Sequence, residues 1–114
     1  REPVVPNATL LFRYSAVTFN GHRIHYDWPY VTATEGYPGL VVHGPFAQQC
    51  LLDLLRDSAP GRKIKTFAIR ARAPLFDTQP FDAIGRPTAD GKGAELWTVT
   101  PNGTIAAQAT ATFE

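Results

Sequence analysis

The carboxyl-terminal segment alternates between apolar and polar residues from Ala107 to Phe113, and this pattern constrains the fold more than any other feature of the chain. Alternation with a period of two is typical of a strand that is buried on one face only. Because the buried face consists mostly of alanines, another element can approach the sheet closely there. One face carries Ile105, Ala107, Ala109, Ala111 and Phe113, and the other carries Thr104, Gln108, Thr110 and Thr112.

A single long helical pattern supplies the element that can pack on the alanine row. The pattern runs from Pro45 to about Asp57, with proline at the helix start, where it is well tolerated, and the sequence Ser58-Ala59-Pro60-Gly61 at the end. Leu52 interrupts the polar half of the helical wheel, so we expect both sides of the helix to contact protein. The apolar half consists of Phe46, Ala47, Cys50, Leu51, Leu54 and Leu55.

The segments that follow the helix have the composition of strands. The segment Lys63–Ala73 changes the phase of its alternation near its start, which predicts a β-bulge or a strand covered on both faces. Further strands are predicted at Phe81–Arg86 and Glu95–Thr100, and Thr100–Thr104 predicts a hairpin turn. Together these patterns predict an α+β domain in which one long helix is packed on, and partly wrapped by, an antiparallel sheet of about four to six strands.

The amino-terminal part of the chain has weaker patterns. Residues 1–8 are rich in proline and predict an extended arm or linker, so we expect a single domain over residues 9–114. The apolar run Thr9–Arg13 is compatible with a strand. The segment Tyr14–Tyr30 mixes aromatic, polar and histidine residues without a clean period, which predicts functional loops or one-turn helices.

The composition excludes several classes of protein. A chain of 114 residues has room for one core, and a net charge of +1 lacks the basic excess that is typical of nucleic-acid binding. No run approaches the roughly 20 apolar residues of a membrane helix. The single cysteine, Cys50, excludes an intramolecular disulfide and a multi-cysteine metal site. We expect no secretory signal, no nucleic-acid or membrane partner, and a location in the bacterial cytoplasm or the mitochondrial matrix.

All three histidines, His22, His25 and His43, fall in one region outside the long helix, together with Asn20 and Asp27. Histidine is the side chain best suited to proton transfer near neutral pH, so the cluster indicates acid–base chemistry. Zinc is an alternative reading, but the spacing of the histidines matches no metalloprotease motif, and we expect no metal. A further alternative is that one or two of the histidines are ordinary surface or core residues.

The sequence His43-Gly44-Pro45 places a glycine amide at the start of the long helix. Backbone N–H groups at a helix start have no partner within the helix and lie at the positive end of its dipole. Such a group can polarise a carbonyl oxygen and stabilise the negative charge that develops on it. The same residues also suit a plain turn into a helix.

Two segments, Ser15–Asp27 and Gly39–Pro45, resemble the MaoC-like hydratase/dehydratase group of hot-dog-fold proteins. The resemblance is strongest to the branch of mesaconyl-C4-CoA and itaconyl-CoA hydratases and mitochondrial 3-hydroxyacyl-thioester dehydratases, where such segments lie in the carboxyl-terminal half of a longer chain. It continues through Arg70–Phe76 and so covers nearly the whole sequence. It implies a hot-dog fold, in which a central helix is wrapped by an antiparallel sheet.

The family motif resembles G-D-x-N-P-[IL]-H, with catalytic aspartate and histidine five residues apart. In this chain the histidine is His25, whereas Asn20 stands at the aspartate position. Asparagine cannot accept a proton at neutral pH, although it can orient water by hydrogen bonding. Either His25 carries the acid–base work with Asn20 positioning water, or the chain is less active than its relatives. Asp27 is a third possibility, as a substitute carboxylate.

The resemblance implies reversible hydration of a 2-enoyl-CoA thioester, or dehydration of a 3-hydroxyacyl thioester of coenzyme A or acyl carrier protein, without a cofactor. It implies catalytic roles for Asn20, His25 and Gly44, with Gly44 as the oxyanion donor. We expect His43, Tyr37 and Tyr26 to bind substrate.

The resemblance also implies a tunnel between two hot-dog units, as a homodimer or as a pair with a second hot-dog unit. From the absence of methionine at position 1 and the proline-rich start, we expect this unit to follow, or to associate with, another hot-dog half. One alternative is a non-catalytic or partner-dependent subunit that binds acyl thioesters. Another is a thioesterase that uses Asp53.

Overall fold

The computed structural model describes residues 2–114, and within that range the chain forms a five-stranded sheet, three α-helices and one turn of 3-10 helix. The 3-10 turn, Arg23–His25, lies between the first two α-helices. In chain order the elements are β1 (Glu2–Val4), α1 (Ala8–Val17), α2 (Trp28–Ala33), α3 (Gly44–Ser58), β2 (Ile64–Ala71), β3 (Phe81–Pro87), β4 (Gly93–Val99) and β5 (Ile105–Phe113).

The sheet is antiparallel with the order β1-β3-β4-β5-β2. Its centre is a meander of three consecutive strands, whereas β1 and β2 are added at the two edges. The hairpin predicted at Thr100–Thr104 is confirmed, since the Thr100 N–H donates to the Thr104 carbonyl over 2.9 Å and Gly103 has a φ of 88°. The predicted irregularity in β2 is also confirmed, because its register with β5 shifts between Ile64 and Thr66.

The helix α3 packs on the sheet through the face that the sequence predicts. Leu51, Leu54 and Leu55 are buried against the alanine row of β5, including Ala109 and Ala111. Each leucine buried in this way contributes about 1.5–3 kcal/mol of hydrophobic stabilisation, and the small alanine side chains are what allow the helix to lie so close. The expected arrangement of one long helix on an antiparallel sheet is therefore confirmed.

The expectation that α3 is the only helix, and that Thr9–Arg13 is a strand, is wrong. These residues belong to α1, which begins after Asn7, whose side-chain oxygen accepts a hydrogen bond from the Leu10 N–H over 2.9 Å. Such a cap satisfies a backbone donor that the helix leaves unpaired. Leu11 and Ser15 are the buried residues of α1, four positions apart on one face. The apolar run therefore belongs to a helix that lies on the surface.

The predicted boundary between an arm (1–8) and a domain (9–114) does not divide the structure. Glu2–Val4 is extended, as expected, but it pairs with β3 as an edge strand rather than acting as a linker. The helix α1 already begins at Ala8. Arg1, the first residue of the predicted arm, lies outside the described residues.

The segment Tyr14–Tyr30, expected to form loops or one-turn helices, contains the end of α1, the 3-10 turn and the start of α2. The helix α2 begins at a side-chain cap, because the Asp27 carboxylate accepts a hydrogen bond from the Tyr30 N–H over 3.1 Å. A second core cluster joins α1 and α2 to the first turn of α3 through Leu11, Val31 and Ala47. This cluster places the histidine-bearing segment beside the start of α3.

Candidate functional site

His25 and His43 lie face to face at the amino-terminal end of α3. Their ring centroids are 3.8 Å apart and the ring planes differ by 17°, so the two imidazoles are stacked. The third histidine, His22, meets His25 edge-on with 5.8 Å between centroids, and its side chain is exposed. The structure therefore brings together the three histidines that the sequence analysis singled out, and it places two of them in the protein interior.

The orientation of the His25 ring is set by a backbone carbonyl. Its Nδ1 lies 2.7 Å from the Val41 carbonyl oxygen, which can only accept a hydrogen bond. Nδ1 therefore carries a proton, and in the neutral ring the lone pair is on Nε2. The Val41 N–H in turn donates to the Ile24 carbonyl over 2.9 Å, so two hydrogen bonds tie the 3-10 turn to the segment before α3.

The segment that carries Val41 is held by a close approach at Gly39. The Leu40 N–H donates to Asp77 Oδ1 over 2.9 Å, and a Cβ at Gly39 would lie only 2.6 Å from the same oxygen. A side chain at Gly39 would therefore displace Asp77 and, with it, the backbone that positions the His25 ring.

Burial keeps both stacked rings neutral to lower pH than usual. His25 is 7% exposed, and burial lowers its pKa, although the hydrogen bond to the Val41 carbonyl acts in the opposite direction and His22 adds a smaller lowering. His43 is 1% exposed, and burial together with the neighbouring His25 lowers its pKa to about 4. A neutral His25 is the form that can accept a proton at Nε2.

Gly44 begins α3, and its backbone faces a cavity of about 610 Å³. The residue is exposed, and a Cβ built there would meet nothing within 4 Å, so the backbone amide at the helix start is open to a ligand. The cavity is mostly apolar, with His43 and Arg72 among its polar lining residues. The arrangement can therefore hold a carbonyl oxygen at the positive end of α3, beside the buried histidine pair.

Asn20 and Tyr26 do not line the cavity at Gly44. They line a shallow groove of about 300 Å³ together with Phe12 and Phe19. Asn20 Oδ1 accepts the His22 N–H over 3.1 Å, and the Tyr26 hydroxyl donates to the Gly21 carbonyl over 3.0 Å. The side chains of Asn20 and Tyr26 therefore also stabilise the loop that precedes His25.

Tyr37 and Asp27 are occupied by packing and capping contacts. The Tyr37 ring packs on the Phe76 ring, with 5.7 Å between the two ring centroids. Asp27 caps α2 and forms a salt bridge of 3.0 Å with Arg23, whose guanidinium covers the Tyr30 ring. A carboxylate engaged in this way is poorly placed to replace the aspartate of the motif.

Two further findings concern metals and membranes. Over residues 2–114, no three His, Cys, Asp or Glu side chains are close enough to hold a metal ion. In the same range, no helix combines the length and the apolar character that crossing a bilayer demands.

Ser15 is the site residue that the sequence analysis did not single out. Its hydroxyl lies 2.8 Å from His43 Nε2, and both residues are buried. The sequence does carry a signal for it. Asn7 is a residue type that caps helices, and in a helix that begins there Ser15 lies four residues after Leu11, on the same inner face.

The chain is similar in sequence to a known protein family and to two of the relatives found. The family model described as hydroxyacyl-thioester dehydratase type 2 matches residues 1–77. The chain is 50% identical over 107 residues to the mesaconyl-C(4)-CoA hydratase of Chloroflexus aurantiacus, which covers 94% of the chain and 37% of that protein. It is 39% identical over 77 residues to the mitochondrial hydroxyacyl-thioester dehydratase type 2 of Schizosaccharomyces pombe, which covers 66% of the chain and 26% of that protein.

The chain therefore spans only about a quarter to two fifths of the length of these two relatives. Among solved structures, it superposes on a chain of the ChsH1-ChsH2 complex from Mycobacterium tuberculosis with a TM-score of 0.83 at 18% identity. That match covers 98% of this chain and 90% of the other. At this level of identity the likeness shows a shared fold.

Proposed function

This chain belongs to the hydroxyacyl-thioester dehydratase type 2 family and has the hot-dog fold, and from that membership we propose that it is a hydro-lyase. The proposed reaction is the reversible hydration of a 2-enoyl-CoA thioester, which is equivalent to the dehydration of a 3-hydroxyacyl thioester. The observation that carries the proposal is the stacked pair His25 and His43 beside the open helix start at Gly44.

The first requirement of hydration is a polarised thioester carbonyl. Addition of water to the β-carbon sends negative charge through the α-carbon to the carbonyl oxygen, which becomes enolate-like. The Gly44 N–H at the positive end of α3 is our candidate donor to that oxygen, and the 610 Å³ cavity gives the thioester access to it. One such donor typically contributes about 10²–10³ in rate.

The second requirement is a group that takes a proton from water and a group that returns one to the α-carbon. His25 Nε2 is the candidate base, because Nδ1 is bound to the Val41 carbonyl. After accepting the proton, the same Nε2–H can act as the acid, so one imidazole can serve both steps. Asn20, at the aspartate position of the motif, is proposed to orient the water and does not accept a proton itself.

The substrate is proposed to be a thioester of coenzyme A or acyl carrier protein, and the residues assigned above need no cofactor. Of the predicted substrate-binding residues, His43 lines the cavity at Gly44, whereas Tyr26 lines the groove at Asn20 and Tyr37 packs on Phe76. Arg72 lines the same cavity as His43 and is a candidate partner for a coenzyme A phosphate. We propose a cytoplasmic or mitochondrial-matrix location.

The absence of Asn20 from the lining of the cavity at Gly44 favours a second candidate function. In that case the chain is a partner-dependent acyl-thioester-binding subunit, and a second hot-dog unit completes the site. Two features support pairing: the chain spans part of its relatives' length, and the ChsH1-ChsH2 structure is by name a two-component complex. The second hot-dog unit can also be another copy of this chain, in which case the complete site forms in a homodimer.

The experiment that tests the proposal measures loss of the enoyl-thioester absorbance with crotonyl-CoA and mesaconyl-C4-CoA. The purified chain is compared with His25→Ala, for which we expect turnover to fall by about 10²–10⁴-fold because the general acid–base group is missing. The matched control is His22→Ala, in which the exposed histidine of the same loop is removed and turnover stays close to that of the wild type.

Wild-type turnover in His25→Ala would overturn the assignment of that residue. A purified chain that is inactive alone but active when mixed with a second hot-dog unit would favour the partner-dependent subunit. In that outcome, the His25→Ala chain is tested again in the mixture. Loss of hydration activity there would support the role of His25.

A further inference from the structure

Ser15 and His43 form a buried, hydrogen-bonded pair that has no acid–base role in the proposed reaction. Ser15 is 5% exposed and His43 is 1% exposed, and 2.8 Å separates Ser15 Oγ from His43 Nε2. We propose that Ser15 is a positioning residue, which holds the His43 ring against His25 and fixes the loop of Asn20 to the end of α1. This inference rests on the proposed function, because it concerns residues to which acid–base chemistry was assigned there.

The position of Ser15 inside α1 indicates that its hydroxyl serves mainly to form the hydrogen bond with His43. Serine inside a helix is neutral to unfavourable for helix stability, and a buried hydroxyl costs free energy unless it is hydrogen bonded. The hydrogen bond to His43 links residues 28 positions apart, so it joins α1 to the start of α3. Without Ser15, the other ring nitrogen would offer no compensation, since His43 Nδ1 is buried without a partner in the described chain.

Ser15 also contacts the other half of the proposed machinery through its backbone. Its carbonyl oxygen accepts a hydrogen bond from the Asn20 N–H over 2.9 Å, which closes the last turn of α1. One residue is thus bonded to His43 through its side chain and to Asn20 through its main chain. Any shift of Ser15 would therefore change the relation between the histidine pair and the loop that carries Asn20.

The His43 ring transmits this positioning to His25. The two rings stack at 3.8 Å, and this stack adds to the Val41 hydrogen bond and the edge contact with His22 in limiting the rotation of His25. The titratable groups facing the pair are His22 beside His25, Tyr14 of α1 at 4.7 Å from the His43 ring, and Cys50 of α3 near Tyr14. Because burial lowers the pKa of His43 to about 4, it carries no charge that would oppose protonation of His25 near neutral pH.

The test compares Ser15→Ala and Ser15→Thr with wild type in enoyl-thioester hydration. We expect Ser15→Ala to lower kcat by about 10–100-fold because a misplaced acid–base group costs rate, while KM changes by less than about twofold. Ser15→Thr retains a hydroxyl and restores most of the rate. The matched control is Thr98→Val, which removes a buried hydroxyl far along the chain that has no partner in residues 2–114, and we expect its kcat to equal that of the wild type.

A second readout needs no substrate and so separates this proposal from the proposed function. In a pH titration followed by NMR of the histidine ring protons, the wild-type His43 stays neutral over about pH 5–7. In Ser15→Ala the ring loses its hydrogen bond and turns towards water, so His43 titrates within that range. If circular dichroism shows that Ser15→Ala does not fold, Ser15→Cys, which replaces the hydroxyl with a larger and more weakly hydrogen-bonding thiol, takes its place.

An unchanged His43 titration in Ser15→Ala, or a kcat loss matched by Thr98→Val, would overturn the positioning role. A chain without hydratase activity whose His43 titration still shifts in Ser15→Ala would support the positioning role and contradict the proposed function alone.

Discussion

At the scale of single residues, the burial of the His43 imidazole links the stability of the fold to pH. His43 is enclosed between Ser15, Tyr14 and His25, and its pKa in the folded chain is lowered to about 4 by burial and by His25. In the unfolded chain the same ring takes up a proton near pH 6.5. The two states therefore bind different numbers of protons between these values, and the free energy of unfolding must depend on pH there.

The sign of the dependence follows from the lowered pKa. The stabilisation from a neutral His43 is complete above about pH 6.5 and is lost as the pH falls towards 4. Over that range the histidine becomes protonated in the unfolded state but stays neutral in the folded state. We expect a loss of about 2–3 kcal/mol over that range, measured by urea denaturation at a series of pH values. His25, whose pKa is also lowered by burial, adds a loss of the same sign.

The variant His43→Gln removes the titrating group and should flatten this pH dependence. His22→Gln is the control, since that side chain is exposed and its replacement should change the slope only slightly, through its small effect on His25. A His43→Gln chain with the wild-type slope would contradict the assignment of the effect to this ring.

At the scale of elements, α1 shows where sequence patterns succeed and where they fail. The helix α3 and strand β5 bury one face each, and their periods of 3.6 and 2 could be recognised in the sequence. In α1 the core takes only Leu11 and Ser15, while Phe12 is largely exposed, so the helix lacks the apolar stripe that a periodicity search detects.

The same difference explains the outcome for the site. That His25, His43 and Gly44 lie close together could be predicted, because the resemblance and the helix start mark them in the sequence. The stacking of the two imidazoles and the hydrogen bond from Ser15 could not, because they depend on how α1 packs against the start of α3. Contacts between segments that are distant in the chain have no local sequence signal.

The carboxyl-terminal end of α1 carries a strained residue. Phe19 has a φ of 56°, its N–H donates to the Ala16 carbonyl, and the Asn20 N–H donates to the Ser15 carbonyl. This pattern is a Schellman motif, in which glycine normally takes the left-handed position. The Phe19 side chain is 96% exposed, so it gains little from burial to offset the unfavourable backbone conformation.

We expect Phe19→Gly to raise the free energy of unfolding by about 0.5–1 kcal/mol, because glycine adopts positive φ without steric conflict. Chemical denaturation of both chains measures the change. The matched control is Val17→Gly, at the exposed last residue of the same helix, where glycine should lower stability by about 0.3–0.5 kcal/mol because no positive φ is relieved. A Phe19→Gly chain less stable than wild type would refute this account of the helix end.

At the scale of the whole molecule, the sheet joins strands that are neighbours in the chain with strands that are not. The meander β3-β4-β5 is connected by two short turns, whereas β2 pairs with β5 from about forty residues away and β1 pairs with β3 from about eighty residues away. The two core clusters follow the same division, since one lies under the meander and α3, and the other needs α1 and α2.

The order of the strands has a consequence for the time course of folding. Pairings that close long loops form slowly, so we expect the meander to gain protection first and β1 to dock last. Pulse-labelled hydrogen exchange during refolding measures this, and amides of β1 and β3 that become protected in the same step would contradict it. The hydrogen bond between Ser15 and His43 joins residues 28 positions apart, more than either turn of the meander spans, so we expect it to form after the meander as well. A chain in which only the meander has formed therefore does not yet have the stacked pair of histidines.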